Sequence, residues 1–197
     1  MAGAHRAAAG NDPMTPRILH HVRISGGTAA RDGIPFPSAS GAPAAAPEDL
    51  YTALGCAYPK FFKMDLLCKW AWVAAEYLLT ENGMPVYAGI PGEKIAVVLF
   101  TGSGCLEADK KYYDTLNTVP SPSLFVYTLS NIMLGEICIR HGFKGEQLCM
   151  AAEGFDSGEL LFWAEDLLRH KGMDACLCGW VDVTGMAPDI DIRWMTR

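Results

Sequence analysis

Apolar positions along this chain follow two different periods. From Met64 onward, Met64, Leu67, Cys68, Ala71, Ala74, Ala75 and Leu78 recur every three or four residues, while Asp65, Lys69 and Glu76 lie off that stripe. The spacing predicts an α-helix with one strongly buried face, stopped by Asn82-Gly83. Residues 94–101, KIAVVLFT, are nearly all apolar, the composition of a strand buried on both faces of a sheet. Gly102-Ser103-Gly104 turns the chain out of that strand, and residues 106–116 fit a short polar helix broken by Pro120 and Pro122.

The pattern continues in the same alternation. Residues 124–141 read as one helix with Phe125, Leu129, Ile132, Met133 and Ile137 on its stripe, Glu136 and Arg140 paired on its surface, and Gly142 as its stop. Residues 147–151 form a short strand, after which Asp156 or Ser157 caps a helix that buries Leu160, Leu161, Ala164, Leu167 and Leu168. Residues 175–183 are a near-continuous apolar strand, and 188–195 alternate Ile190, Ile192 and Trp194 with polar residues, which predicts a half-exposed edge strand. With residues 18–25 as a first strand ending at Gly26-Gly27, the order predicts an α/β domain: a five-stranded sheet with helices on both faces. A disordered tail over residues 1–16, with Met14 as an alternative start, precedes a domain at 17–197 that contains a proline-rich flexible loop over 31–49.

Composition narrows the function classes. The chain has 197 residues, enough for one sizeable core, and a net charge of −6, which argues against a nucleic-acid partner. No apolar run is long enough for a membrane span or a signal peptide, so a cytoplasmic location is expected. Seven cysteines are scattered through apolar segments with no C-x-x-C pair or His-rich cluster, so neither a metal nor a cofactor is expected. Gly102-Ser103-Gly104 lacks the third glycine of a dinucleotide fingerprint, since Glu107 stands there, and 154–158 is not a G-x-S-x-G turn.

Three segments carry a more specific likeness: YPKFFKMDLLCKWAWVAAEYLL, KIAVVLFTGSGCLEADKKYYDTL and SPSLFVYTLSNIMLGEICIRHGFKGE. In order and spacing, residues 58–183 resemble the N-terminal half of a β-ketoacyl-acyl-carrier-protein synthase, in particular short bacterial proteins of aryl-polyene and related lipid or pigment pathways. The resemblance implies half of a thiolase-like fold, with the five-stranded sheet mixed. It also implies that the turn at 151–156 is where the family presents its nucleophilic cysteine. Carried over, that cysteine falls near Gly154, flanked by Glu153 and Phe155, and the turn holds no cysteine.

Catalysis by this family also needs histidines from a second half. The resemblance therefore implies a non-catalytic synthase-like subunit of fatty-acid, aryl-polyene or polyketide assembly. Its expected partners are a complete ketosynthase, or a second copy of itself, and an acyl-carrier protein. Phe125, Tyr127, Thr128 and Asn131, with the turn at 153–156, are the expected contacts with partner or acyl chain. Two alternatives stay open: a thioester-handling or malonyl-decarboxylating enzyme using Glu153 or Cys149, and a stand-alone acyl-binding protein. Against them, Cys149 reads as a core cysteine and Glu153 as a cap of the next helix. His141 and His170 read as cations at helix C-termini, and His20 and His21 as strand residues.

Overall fold

A computed structural model describes residues 15–36 and 46–197. Strand β1 (Arg17–Ser25) turns through Gly26-Gly27, both at positive φ as a tight hairpin requires, into β2 (Thr28–Arg31) and β3 (Ile34–Pro35). Helix α1 (Pro47–Ala53) and a 3₁₀ turn (Pro59–Lys63) lead to α2 (Leu66–Leu79), then to a small hairpin of β4 (Thr80–Glu81) and β5 (Met84–Pro85). A second 3₁₀ turn (Gly92–Lys94) precedes β6 (Ile95–Thr101). Helices α3 (Leu106–Thr115), α4 (Pro122–Val126) and α5 (Ile132–His141) follow, then β7 (Gln147–Ala151), α6 (Ser157–His170), β8 (Ala175–Thr184) and β9 (Ala187–Thr196).

One mixed sheet, ordered β3-β2-β1-β9-β8-β6-β7, organises the chain. Strands β7, β6 and β8 run parallel, and β9 is antiparallel to both of its neighbours, β8 and β1. The five expected strands are its long ones, and the β2–β3 hairpin extends it to seven. Helices α2 and α5 cover one face over Val97, Leu177, Ile192 and Trp194; α6 covers the other over Val98, Phe100, Cys178 and Trp180. This is the expected α/β architecture with helices on both faces.

Helix α2 begins where Asp65 accepts hydrogen bonds from the Leu67 and Cys68 amides at 3.3 and 3.1 Å. It is apolar almost all round, and Trp70, Trp72, Leu78 and Leu79 are fully buried, each contributing about 1.5–3 kcal/mol by leaving water. It is therefore the central helix of its layer.

Three local expectations are corrected. Strand β9 is not an edge: it lies between β1 and β8, with Ile190, Ile192, Trp194 and Met195 buried, and its buried Asp191 is satisfied by His21 on β1 and by Arg193 on β9 itself rather than by bulk water. Residues 124–141 are not one helix; the chain breaks after Val126, where the Thr128 hydroxyl bonds the Phe125 carbonyl at 2.8 Å, and restarts at Ile132. Glu136 and Arg140 are not partners: Glu136 is buried against Lys60 at 2.7 Å, and Arg140 reaches across to Glu76 on α2. Most of the expected tail (1–16) and the middle of the expected loop (31–49) lie outside the described residues, while the loop's ends carry β3 and the start of α1.

Candidate functional site

The C-terminal ends of the parallel strands β6 and β7 bring two turns together. Thr101 and Ala151 are in register, and the Ala152 amide donates to the Thr101 carbonyl at 3.1 Å. One is the exposed turn after β7, where the sequence resemblance leads one to expect a nucleophile; the other is Gly102-Ser103-Gly104 after β6.

The β7–α6 turn is open to solvent. Glu153 and Gly154 are exposed, and Phe155 is 40% exposed. The Phe155 ring lies 6.3 Å from Trp180 and 5.6 Å from the Arg193 guanidinium, a cation–π approach that seats the turn against the sheet. Asp156, and not Glu153, caps α6, accepting from the Gly158 and Glu159 amides at 2.7 and 3.2 Å. The capping role weighed for Glu153 is thus taken by its neighbour, which has the shorter side chain and sits at the extended residue immediately before the helix.

The β6–α3 turn is tied down by Asp182 of β8, a residue that periodicity gave no reason to single out. Its Oδ1 accepts from the Thr101 hydroxyl (3.1 Å), the Gly102 amide (3.1 Å) and the Ser103 amide (2.6 Å), and its Oδ2 from the Ser103 hydroxyl (3.1 Å). A side chain at Gly102 would stand 3.1 Å from Trp180 and 3.4 Å from the Ala152 carbonyl oxygen, so the two turns pack through this glycine. Cys105 follows at the start of α3, its thiol donating to the Asp109 carboxylate at 3.5 Å and accepting from the Ser130 hydroxyl at 3.7 Å. Burial pushes its pKa up.

Cys149 lies on strand β7, one residue before Met150 and off the turn itself. It packs against the α2–α5 side of the sheet, whereas Leu148 and Met150 meet α6. Burial, with a smaller contribution from Cys105, pushes its thiol up to about 11. At pH 7 such a group holds about one thiolate in 10⁴ molecules, a poor nucleophile.

The expected contact residues divide. Phe125 projects from α4, 55% exposed and 5.4 Å from the Tyr112 ring, and Asn131 is exposed at the start of α5. Thr128 is half-buried in the break between α4 and α5. Tyr127 points inward instead, its hydroxyl donating to Glu136 at 3.3 Å; burial and that carboxylate push its pKa up. Leu106, Tyr113, Leu116, Val119, Val126 and Leu129 share the exposure of Phe125, so segment 106–129 presents a run of apolar side chains to solvent.

His141 is not a charged helix cap. Gly142, in the left-handed conformation, ends α5, while the His141 side chain is 6% exposed with Nδ1 3.0 Å from the Tyr87 hydroxyl. Burial lowers its pKa to about 4. Nε2 lies 3.5 Å from Glu76, but Arg140 already neutralises that carboxylate, so desolvation outweighs the attraction and the ring is neutral. His170 is exposed in the last turn of α6. On β1, His20 contacts Asp32 and His21 contacts Asp191, each at 3.0 Å. Among the described residues no group of three or more His, Cys, Asp or Glu could hold a metal, and no helix is long and apolar enough to cross a membrane.

No family model and no curated protein matches the sequence. Solved structures do. The ishigamide ketosynthase/chain length factor superposes over 93% of this chain with a TM-score of 0.66 at 18% identity; the chain spans 62% of that protein's length. A ketosynthase (ApeO) in complex with its chain length factor (ApeC) from Xenorhabdus doucetiae matches over 93% of this chain and 79% of its own, with a TM-score of 0.59 and 15% identity. A type II PKS acyl-carrier protein in complex with its ketosynthase matches over 92% of this chain and 62% of its own, with a TM-score of 0.60 and 8% identity. The chain therefore shares the fold of part of these ketosynthase and chain length factor structures over nearly its whole length, with Glu153, Gly154 and Phe155 on the turn after β7.

Proposed function

We propose that this chain is a non-catalytic, ketosynthase-like subunit that pairs with a complete ketosynthase, in the manner of a chain length factor, and serves acyl-carrier-bound substrates in polyketide, aryl-polyene or fatty-acid assembly. The observation that carries the reading is a ketosynthase fold whose β7–α6 turn offers an exposed carboxylate, a glycine and a phenylalanine in place of a thiol. A condensing enzyme needs a thiolate there to take the acyl group, and neither a carboxylate nor a thiol held near pKa 11 supplies one. Cys149 as a displaced nucleophile is disfavoured for that reason.

Two features favour a protein partner. Among the described residues strand β7 pairs on one side only, with β6, which leaves a row of backbone donors and acceptors along its outer edge. The ladder to β6 uses the Glu146 carbonyl and the Ala152 amide, so alternation turns the amides of Gln147, Cys149 and Ala151 outward. The exposed apolar side chains of segment 106–129 add surface that is costly to leave in water, about 25 cal/mol per Å². Phe125 and its neighbours and the turn at Glu153–Phe155 are the proposed contacts with partner and acyl chain.

The test is native purification of the tagged chain from its own cell, with mass identification and stoichiometry of what co-elutes. An equimolar ketosynthase supports the reading, and Ala151→Pro, which removes one outward amide and no β6 bond, should abolish it. A clean monomer, or turnover of a malonyl or acyl thioester by the isolated chain that Glu153→Gln or Cys149→Ala abolishes, overturns it.

A further inference from the structure

A cavity of about 600 Å³ lies at the far end of the sheet from the two turns, near the start of β6, where the Lys144 amide bonds the Gly92 carbonyl. Its wall carries Glu76, Arg140, His141 and Tyr87, with Leu54 and Pro85 as apolar surface. Glu76 is only 7% exposed, on a helix whose one other charged residue is Lys69. Burying a carboxylate is costly even opposite a cation, here one whose side chain is 35% exposed, so the pair is a poor stabilising device. Titratable groups gathered on the wall of a cavity are instead the common mark of a ligand site.

Arg140 is held as a rigid fork. Its Nε and Nη2 meet the two Glu76 oxygens at 2.5 and 3.4 Å, and its guanidinium lies 5.5 Å from the Tyr58 ring and 5.7 Å from the Trp72 ring. One edge of the group is engaged, so the Nη1 donors are left on the other. A guanidinium fixed this way presents pre-oriented N–H groups, the geometry that takes a carboxylate.

We propose that this cavity binds a small monocarboxylic acid, its carboxylate on the outer edge of Arg140 and its apolar body against Leu54 and Pro85. Arg140 and Glu76 balance each other before binding, so the charge of one bound carboxylate is met by the proton taken up at His141, and a phosphate dianion would leave a second charge unmet. Binding is coupled to a proton. His141 faces Glu76, Arg140 and the Tyr87 hydroxyl, and Cys56 lies on the same wall; an added carboxylate favours the protonated ring, so affinity rises as pH falls.

Isothermal titration of the whole chain with octanoate tests this, with octanamide and inorganic phosphate as controls. One octanoate should bind per chain, at least about threefold more tightly at pH 5.5 than at pH 7.5, while neither control binds. Arg140→Lys, which keeps the charge opposite Glu76 but loses the fork, should weaken binding about tenfold. Ala57→Trp, at an exposed rim position, should block it with the ion pairs intact. No heat at millimolar octanoate, phosphate binding in its place, or octanoate affinity unchanged in both variants overturns the proposal. None of these results bears on pairing with a ketosynthase, which Ala151→Pro tests separately.

Discussion

The neutral, buried His141 makes the stability of this fold fall on mild acidification, and the size of the fall follows from its pKa. The folded-state value is about 4, against an ordinary 6.5, chiefly because burial disfavours the imidazolium. A histidine depressed in the folded state is protonated preferentially in the unfolded chain between those two values. The unfolded state then binds more protons, so stability present above about pH 6.5 is lost as pH drops toward 4. Each unit of difference is worth about 1.4 kcal/mol, which sets the full loss near 3 kcal/mol and the loss by pH 5 near 2 kcal/mol. Urea unfolding at pH 7.5 and 5.0 measures it, with His141→Gln as the non-titrating reference. The variant loses its own packing at both pH values, so the informative quantity is the difference of differences: the acid-induced loss should shrink by about 2 kcal/mol in His141→Gln. Equal pH dependence in the two proteins refutes the reasoning, and would mean that Glu76 holds His141 as a charged partner despite burial.

Other expectations follow from single contacts. Asp156→Ala should cost about 1 kcal/mol by uncapping α6, whereas Glu153→Ala should change stability by less than about 0.5 kcal/mol, both read by chemical denaturation. Gly179→Ala should destabilise by about 3 kcal/mol or prevent folding, since its Cβ would lie 2.4 Å from the Asp191 carbonyl oxygen in the centre of the sheet; soluble yield and melting temperature report it. Leu78→Ala, in the fully buried face of α2, should cost about 2–5 kcal/mol in the same assay. Asp182→Ala strands four donors of the β6–α3 turn and should raise amide exchange at Gly102 and Ser103 specifically.

The elements were legible in the sequence where local pattern alone decides them. The apolar runs at β6 and β8 and the short strand β7 stand where their composition placed them, because a strand buried on both faces has little choice of partner environment. Strand β9 misled because alternation marks polar residues without saying what they meet. Asp191 is 7% exposed and bonded to His21 and Arg193, so its charge is satisfied inside the sheet, where a lone strand would need water. The break at Thr128 was hidden for a related reason: the apolar stripe continues through it, while the backbone is diverted by a side-chain bond that periodicity does not register.

The same limit separates the two ends of the sheet as sites. At the β7–α6 turn the proposed reading rests on residue types at Glu153–Phe155, which a resemblance supplies with no coordinates at all. At the cavity the informative fact is a meeting of Glu76 and Arg140, 64 residues apart, with His141 and Tyr87, and no spacing rule joins them. Local reasoning paired Arg140 with Glu136 because four residues is the helical neighbour distance. The fold gave Glu136 to Lys60 and Tyr127, and turned Arg140 across to α2, because a carboxylate buried on an apolar helix must find a cation within reach or lose its charge. Periodicity set Glu76 off the buried stripe of its helix, yet α2 is buried almost all round, so neither the burial of this acid nor its distant cation was legible before the fold.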